Sequence, residues 1–236
     1  MTEPSPLCVI AGAGPGNGQA ICQRFRREGY RVLLLARDLA RLEAMAGDDD
    51  AIHCMACDMT DTVSVQQVFA EILRSHGVPR VMVYNAGSGL FGAPLDTGLD
   101  DVEAAWRINA LALLQVAQIL APPMIEQGGG ALLVTGATAS LRGGANFAAF
   151  ASAKAAQRNL AQSLARSLGP QGIHVALFII DGVIDIPRAR ELFGDDKPDD
   201  FYMQASDIAE TYYHVAQQAP SAWTFEVDLR RAAENW

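Results

Sequence analysis

Apolar residues fall into two alternating rhythms along this chain. Short, almost unbroken apolar runs such as Leu7 to Ala11 and Arg31-Val32-Leu33-Leu34-Leu35-Ala36 give way to longer segments where they recur every three or four positions. Unbroken runs of this length predict parallel strands buried on both faces, and the wider spacing predicts amphipathic helices. The strands expected are 7–11, 31–36, 51–57, 81–84, 131–135, 174–180 and 223–227. Helices are expected after the first strand (Ile21, Phe25 and Tyr30 in phase), over 39–45 and 63–75, around 100–127 and 147–168, and over 207–217. The stretch 187–206 reads as irregular and polar. Strand–helix alternation to the end predicts an α/β, doubly wound parallel sheet of about seven strands with helices on both faces, in one domain over 1–236.

Composition narrows the function classes. At 236 residues, 50% hydrophobic and 19% charged, the chain can bury one large core. A net charge of -9 argues against a nucleic-acid partner. No run of about 18 apolar residues stands out, and Met1 to Pro6 lacks the features of a secretory signal, so a cytoplasmic protein without a membrane partner is expected. The four cysteines fit a reducing compartment. Cys54 and Cys57 form one C-x-x-C with no second pair, and the four histidines share no spacing, so no metal site is expected.

Chemistry enters at the first strand's end, where Gly12, Gly14, Gly16 and Gly18 alternate. A strict G-x-G-x-x-G fails, its third glycine falling on Asn17, but G-x-x-x-G-x-G fits Gly12, Gly16 and Gly18. Such a turn lets backbone N–H groups approach a pyrophosphate at a helix N-terminus, although any tight strand-to-helix turn uses glycine. At the second strand's end Ala36 stands where an NAD site carries an acid, and the Arg37 fork suits a 2′-phosphate. Asp38 competes as that acid but reads better as a helix N-cap. The pattern favours NADP(H) over NAD(H), with a solvated Arg37 as the plain alternative. Asp58 stands where a side chain meets an adenine edge, and Asp61 reads as a cap.

With Asn85-Ala86-Gly87, Asn109 and Lys154 following in order, the chain resembles the short-chain dehydrogenases/reductases over nearly its full length. The resemblance implies a Rossmann-type fold and a cofactor set of Gly12, Gly14, Gly16, Gly18, Arg37, Asp58, Asn85, Ala86, Gly87, Lys154 and Gly182. It further implies that Asn109 supports a water-borne proton path and that Lys154 binds ribose hydroxyls. The family's tyrosine, four residues before the lysine, is Phe150 here, and its serine is Ala137. Its Pro-Gly is Asp181-Gly182, and a threonine that often contacts the cofactor is Ile186. A phenyl ring has no proton to give.

Replacement donors are Asp181, if desolvated, and Thr138 or Ser140, with turn formation the alternative for each; Tyr202 offers a further phenol from the polar stretch. The resemblance also implies that the alanine-rich helices pair between subunits as a homodimer or homotetramer, though internal burial explains the same pattern. The reading is an NADP(H)-dependent oxidoreductase with non-standard proton delivery, acting on a small molecule such as a conjugated alkene or activated carbonyl. Its alternative is a degraded NADP(H)-binding sensor or scaffold.

Overall fold

A computed structural model describes residues 5–194 and 196–233; Asp195, in the charged part of the polar stretch, lies outside them. Seven strands form one sheet: β1 (Leu7–Ala11), β2 (Arg31–Ala36), β3 (Ile52–Ala56), β4 (Val81–Tyr84), β5 (Gly130–Thr135), β6 (Ile173–Asp181) and an edge strand near the C-terminus (Glu226–Arg230). All pairings are parallel, in the order β3-β2-β1-β4-β5-β6 and then the edge strand. The expected doubly wound sheet is what the chain forms.

All five residues of β1 are buried, because its side chains alternate between two cores. Leu7, Val9 and Ala11 join the core under α3 (Thr62–Ser75), α5 (Ala112–Glu126) and α6 (Ala148–Leu168). Cys8 and Ile10 join the core under α1 (Asn17–Arg27), α2 (Leu39–Ala46) and α8 (Ala205–Ala216). Between β1 and β4 the strand order reverses, and there a doubly wound sheet opens a crevice at its carboxyl edge.

Three segments depart from the expected pattern. The helix expected over 100–127 breaks: α4 (Leu99–Trp106) runs into a π-helical turn at Arg107–Leu111 before α5 begins. Side chains serve the carbonyls of this widened turn. Tyr84 donates to the Ile108 carbonyl at 2.5 Å, and Asn109 Nδ2 donates to the Ala105 carbonyl at 2.8 Å. Leu99–Glu126 is apolar and long enough to cross a membrane by length and composition, yet half of its most apolar window is buried within the fold.

The last strand begins at Glu226, three residues later than expected, because the preceding residues are tied into a turn. Trp223 donates to the Gln218 carbonyl, the Thr224 N–H donates to Gln218 Oε1, and the Trp223 ring stacks on His174. The polar stretch is not irregular throughout. It contains α7 (Pro187–Phe193), and a small parallel pair joins β7 (Val183–Ile184) to β8 (Tyr202–Met203); the edge strand is therefore β9.

Candidate functional site

The glycine turn is built against the end of β4. Gly12 has φ +80°, and a β-carbon there would lie 2.4 Å from the Ala86 Cα, so this backbone approach tolerates no side chain. Gly18 is equally confined, 2.8 Å from the Ala13 Cα by the same measure, whereas Gly14 faces open space. Asn85 locks the two loops together: its Nδ2 donates to the Gly12 carbonyl at 2.8 Å, and its Oδ1 accepts from Thr135 Oγ1 at 2.9 Å. With that hydroxyl proton committed, the buried Tyr212 phenol donates to Thr135 Oγ1 at 2.8 Å. Burial pushes the Tyr212 phenol well above its usual range.

A cleft of about 630 Å³ opens from this turn toward the carboxyl ends of β2 and β3. Gly12, Arg37, Asp58, Asn85, Ala86 and Gly87 all line it, so the structure brings these predicted residues together. Asp38 lines it as well, but its Oδ1 accepts from the Arg41 N–H as the N-cap of α2, the role the sequence favoured. Asp58 accepts from the Thr60 N–H and hydroxyl, and these bonds, with the Arg37 charge nearby, hold its carboxyl below the ordinary carboxylate range. Two further cations, Arg41 and Arg188, line the cleft and were missed in the sequence. Arg41 carried a signal, standing in the first turn of the helix that Asp38 caps; Arg188 read as a solvated charge of the polar stretch.

The opposite end of the crevice, toward β5 and β6, is closed and differently equipped. Lys154 is buried, donating to the Thr135 carbonyl at 2.8 Å and to Gln157 Oε1 at 2.9 Å. Burial pulls its ammonium down to about 7. A β-carbon on Gly87 would stand 3.4 Å from Lys154 Nζ and 3.1 Å from Asn109 Oδ1, so Gly87, Asn109 and Lys154 converge on one point. Asn109 Oδ1 is buried there without a protein partner. Position 150 presents its phenyl ring to Phe91 and Phe147, edge-to-face with centroids 5.5 and 6.3 Å away.

The candidate replacement donors are engaged elsewhere. Thr138 Oγ1 donates to Asp181 Oδ1 at 2.5 Å, and Arg230 lies 3.7 Å from Asp181 Oδ2. The apolar isolation that an acid role for Asp181 requires is therefore not present. Ser140 Oγ accepts from the Ala137 N–H and so serves its own turn. Tyr202 packs away from the crevice, donating to the Gly194 carbonyl, and Tyr84 belongs to the π-helical turn. Tyr30 and Tyr213 lie in the α1–α8 layer, bonded to Gln217 and Glu28. Among the described residues, then, each phenol is engaged elsewhere and none stands in at position 150. Gly182 does not join the cleft, since a β-carbon there would meet Met203 Sδ at 2.7 Å.

The geometry suits a dinucleotide: a bare glycine turn, a basic open end, and a buried amide oxygen and ammonium at the closed end. One contact stands against free entry. Ile186 Cγ2 lies 2.5 Å from where a β-carbon on Gly16 would be, so the segment after β7 rests on the glycine turn.

Comparison with known proteins agrees with this architecture. The short chain dehydrogenase family matches residues 7–196. An uncharacterized short-chain type dehydrogenase/reductase of Sinorhizobium fredii is 32% identical over 180 residues, 71% of this chain and 70% of the relative. A crystal structure of a short-chain dehydrogenase from Rhodopseudomonas palustris superposes with a TM-score of 0.81 at 31% identity, covering 95% of this chain and 98% of that one. A metagenomic short-chain oxidoreductase solved in complex with NADP gives a TM-score of 0.81 at 25% identity, covering 97% and 98%. The chain belongs to the short-chain dehydrogenase family and is an oxidoreductase of that type.

Proposed function

We propose that the chain binds NADP(H) and reduces a small apolar acceptor without a phenolic proton donor. The observation that carries the cofactor reading is the wall at the end of β2. Ala36 offers no carboxylate there, Asp38 caps α2 and lies 3.8 Å from Arg41, and Arg37 and Arg41 line the same cleft. A guanidinium pair suits a 2′-phosphate, whereas a free ribose diol calls for an acid. The NADP bound to the metagenomic relative supports the same choice.

When bound, a nicotinamide supplies or accepts a hydride. This chain's residues do the rest: Arg37 and Arg41 hold the phosphorylated end, Lys154 holds ribose hydroxyls, and Asn85 keeps the glycine turn fixed. The rings of Phe91, Phe147 and Phe150 set an apolar, partly exposed surface at position 150. They offer no hydrogen bond to a developing alkoxide, which disfavours simple ketones. A conjugated alkene fits better, because its proton is finally delivered to carbon. The sensor reading draws on a separate observation: the same rings pack on each other, and Ile186 covers Gly16.

Fluorescence titration with NADPH and NADH tests the cofactor, with NADPH expected to bind at least tenfold tighter. Tighter NADH binding would overturn the assignment. A panel of enones, quinones and ketones, followed by NADPH consumption, then tests turnover, with enones expected to lead. Silence across the panel while NADPH binds would leave the sensor reading standing. Phe150→Tyr combined with Ala137→Ser is expected to confer ketone reduction absent from the wild type.

A further inference from the structure

Among the described residues, Gln157 is the one wholly buried side chain that directly serves Lys154 and that no family motif marks. The rest of the buried face of α6 is alanine: Ala149, Ala151, Ala153 and Ala161. A glutamine in such surroundings costs its desolvation unless both ends of the amide find partners. Here only one does. Oε1 accepts from the Lys154 ammonium at 2.9 Å, while Nε2 is buried with no protein partner. The reverse orientation would set the NH₂ group against the ammonium, so the cation fixes the amide and leaves its donor end unmatched. Such an arrangement makes sense only if the acceptor is what the site needs.

With phenylalanine at 150, no ionisable oxygen stands four residues before the lysine. The ammonium has one main-chain acceptor, Thr135, and one side-chain acceptor, Gln157. Among the described residues, no charged group shares the task. Asp181 is taken up by Thr138 and Arg230 at the end of β6, Arg158 on α6 pairs with Glu226 of β9, and Glu103 of α4 pairs with Arg107 at the surface. His174, at the opposite end of β6, is bonded to the Thr224 carbonyl. Burial lowers the Lys154 ammonium, and no neighbouring charge offsets it. We infer that Gln157 is a positioning residue whose carbonyl oxygen anchors the Lys154 ammonium and sets the pH up to which it stays protonated. The functional weight of this device rests on the reading of Lys154 as a cofactor contact, but the device can be tested without cofactor.

The chain makes that test direct, because it contains two lysines, Lys154 and Lys197. In protein labelled with ¹³C at the lysine ε-carbon, Lys197→Arg leaves one signal, whose shift against pH reports Lys154 alone. Gln157→Leu removes the acceptor and is expected to lower the midpoint by about one pH unit. Gln157→Glu keeps the shape, adds a negative charge and is expected to raise it by one unit or more. A merely space-filling role would not move the midpoint in opposite directions. If Gln157→Leu fails to fold by circular dichroism, Gln157→Met, which also lacks the amide acceptor and has a more adaptable shape, takes its place and its downward shift decides. Midpoints within about 0.3 units of wild type in the folded variants would overturn the assignment. NADPH titrations of the same proteins separate the two readings. Affinity whose pH limit follows the midpoint supports both, whereas moving midpoints in a protein that never binds NADPH overturn the cofactor reading and leave Gln157 assigned.

Discussion

At the β2–β3 end of the crevice, Arg37 stands exposed beside an open cleft and Asp58 is held by its own loop. At the β5–β6 end, Lys154 is sealed in, Asn109 and Gln157 each bury an unpartnered amide atom, and three phenyl rings close on one another. The first end holds charge in water, where it steers and selects a ligand cheaply. The second holds charge out of water, where each polar group is costly unless matched. The glycine turn serves the open end, whereas the buried end carries Ala137 and Phe150, with Asp181 bonded to Thr138.

The largest expected effect comes from breaking the turn on which both ends depend. Gly12→Val forces a β-branched residue to φ +80° and drives its β-carbon into the Ala86 backbone. Strain and overlap together cost about 3 kcal/mol or more, or roughly 6 to 12 °C in melting temperature. Nucleotide binding should be lost with it. A melting temperature within about 2 °C of wild type would mean the β1–β4 contact is looser than described.

The buried end carries its own pH signature. Lys154 titrates near 7 in the folded chain against an ordinary 10.5, so between these values the unfolded chain binds more protons than the native one. Stability contributed through this residue therefore rises with pH across that window, by at most about 1.4 kcal/mol per unit. The comparison with Lys154→Met isolates it. Buried thiols at Cys22 and Cys57, pushed up to about 12 and 11, act in the opposite sense above about pH 9, and equally in both proteins. Denaturant melts between pH 7 and 8.5 should show wild type gaining on Lys154→Met. Parallel curves would place a fully solvated ammonium at 154.

The open end should answer to a single charge. Arg37→Ala is expected to weaken NADPH about tenfold, roughly 1.4 kcal/mol, and to change NADH by less than twofold. Equal losses for both would move Arg37 from the 2′-phosphate to the pyrophosphate.

These two ends were not equally legible in the sequence. Glycine spacing, the Ala36-Arg37 step and the Asp38 cap are local features, each written within a few residues, and the cap is formed as read. The sheet was legible because strands buried on both faces spell themselves as apolar runs. The buried end depends on contacts between distant segments. Gln157 matters only because Lys154 lies beside it, and the Thr138–Asp181 bond joins residues 43 positions apart. The π-helical turn was invisible because its extra residue is accommodated by Tyr84, which reads as core. Strand β9 was misplaced because its register is set by the turn at Gln218 rather than by its own hydrophobicity.

Whether the two ends are energetically joined turns on the chain of bonds between them. Tyr212 donates to Thr135 Oγ1, that hydroxyl donates to Asn85, and Asn85 donates to Gly12, while Lys154 rests on the Thr135 carbonyl. Tyr212→Phe removes the first donor and leaves every later bond intact, since Thr135 still donates to Asn85 and Lys154 uses a main-chain oxygen. The ring keeps its stack on Phe178. The expected cost is one buried hydrogen bond, about 1 kcal/mol, seen as a fall of roughly 2 to 4 °C. Nucleotide affinity should stay within about twofold, because neither end loses a contact of its own. A tenfold loss would show instead that α8 fixes the orientation of Thr135, and through it the geometry of Asn85 and Lys154 together. In that case the crevice would be one cooperative unit rather than two ends sharing a turn.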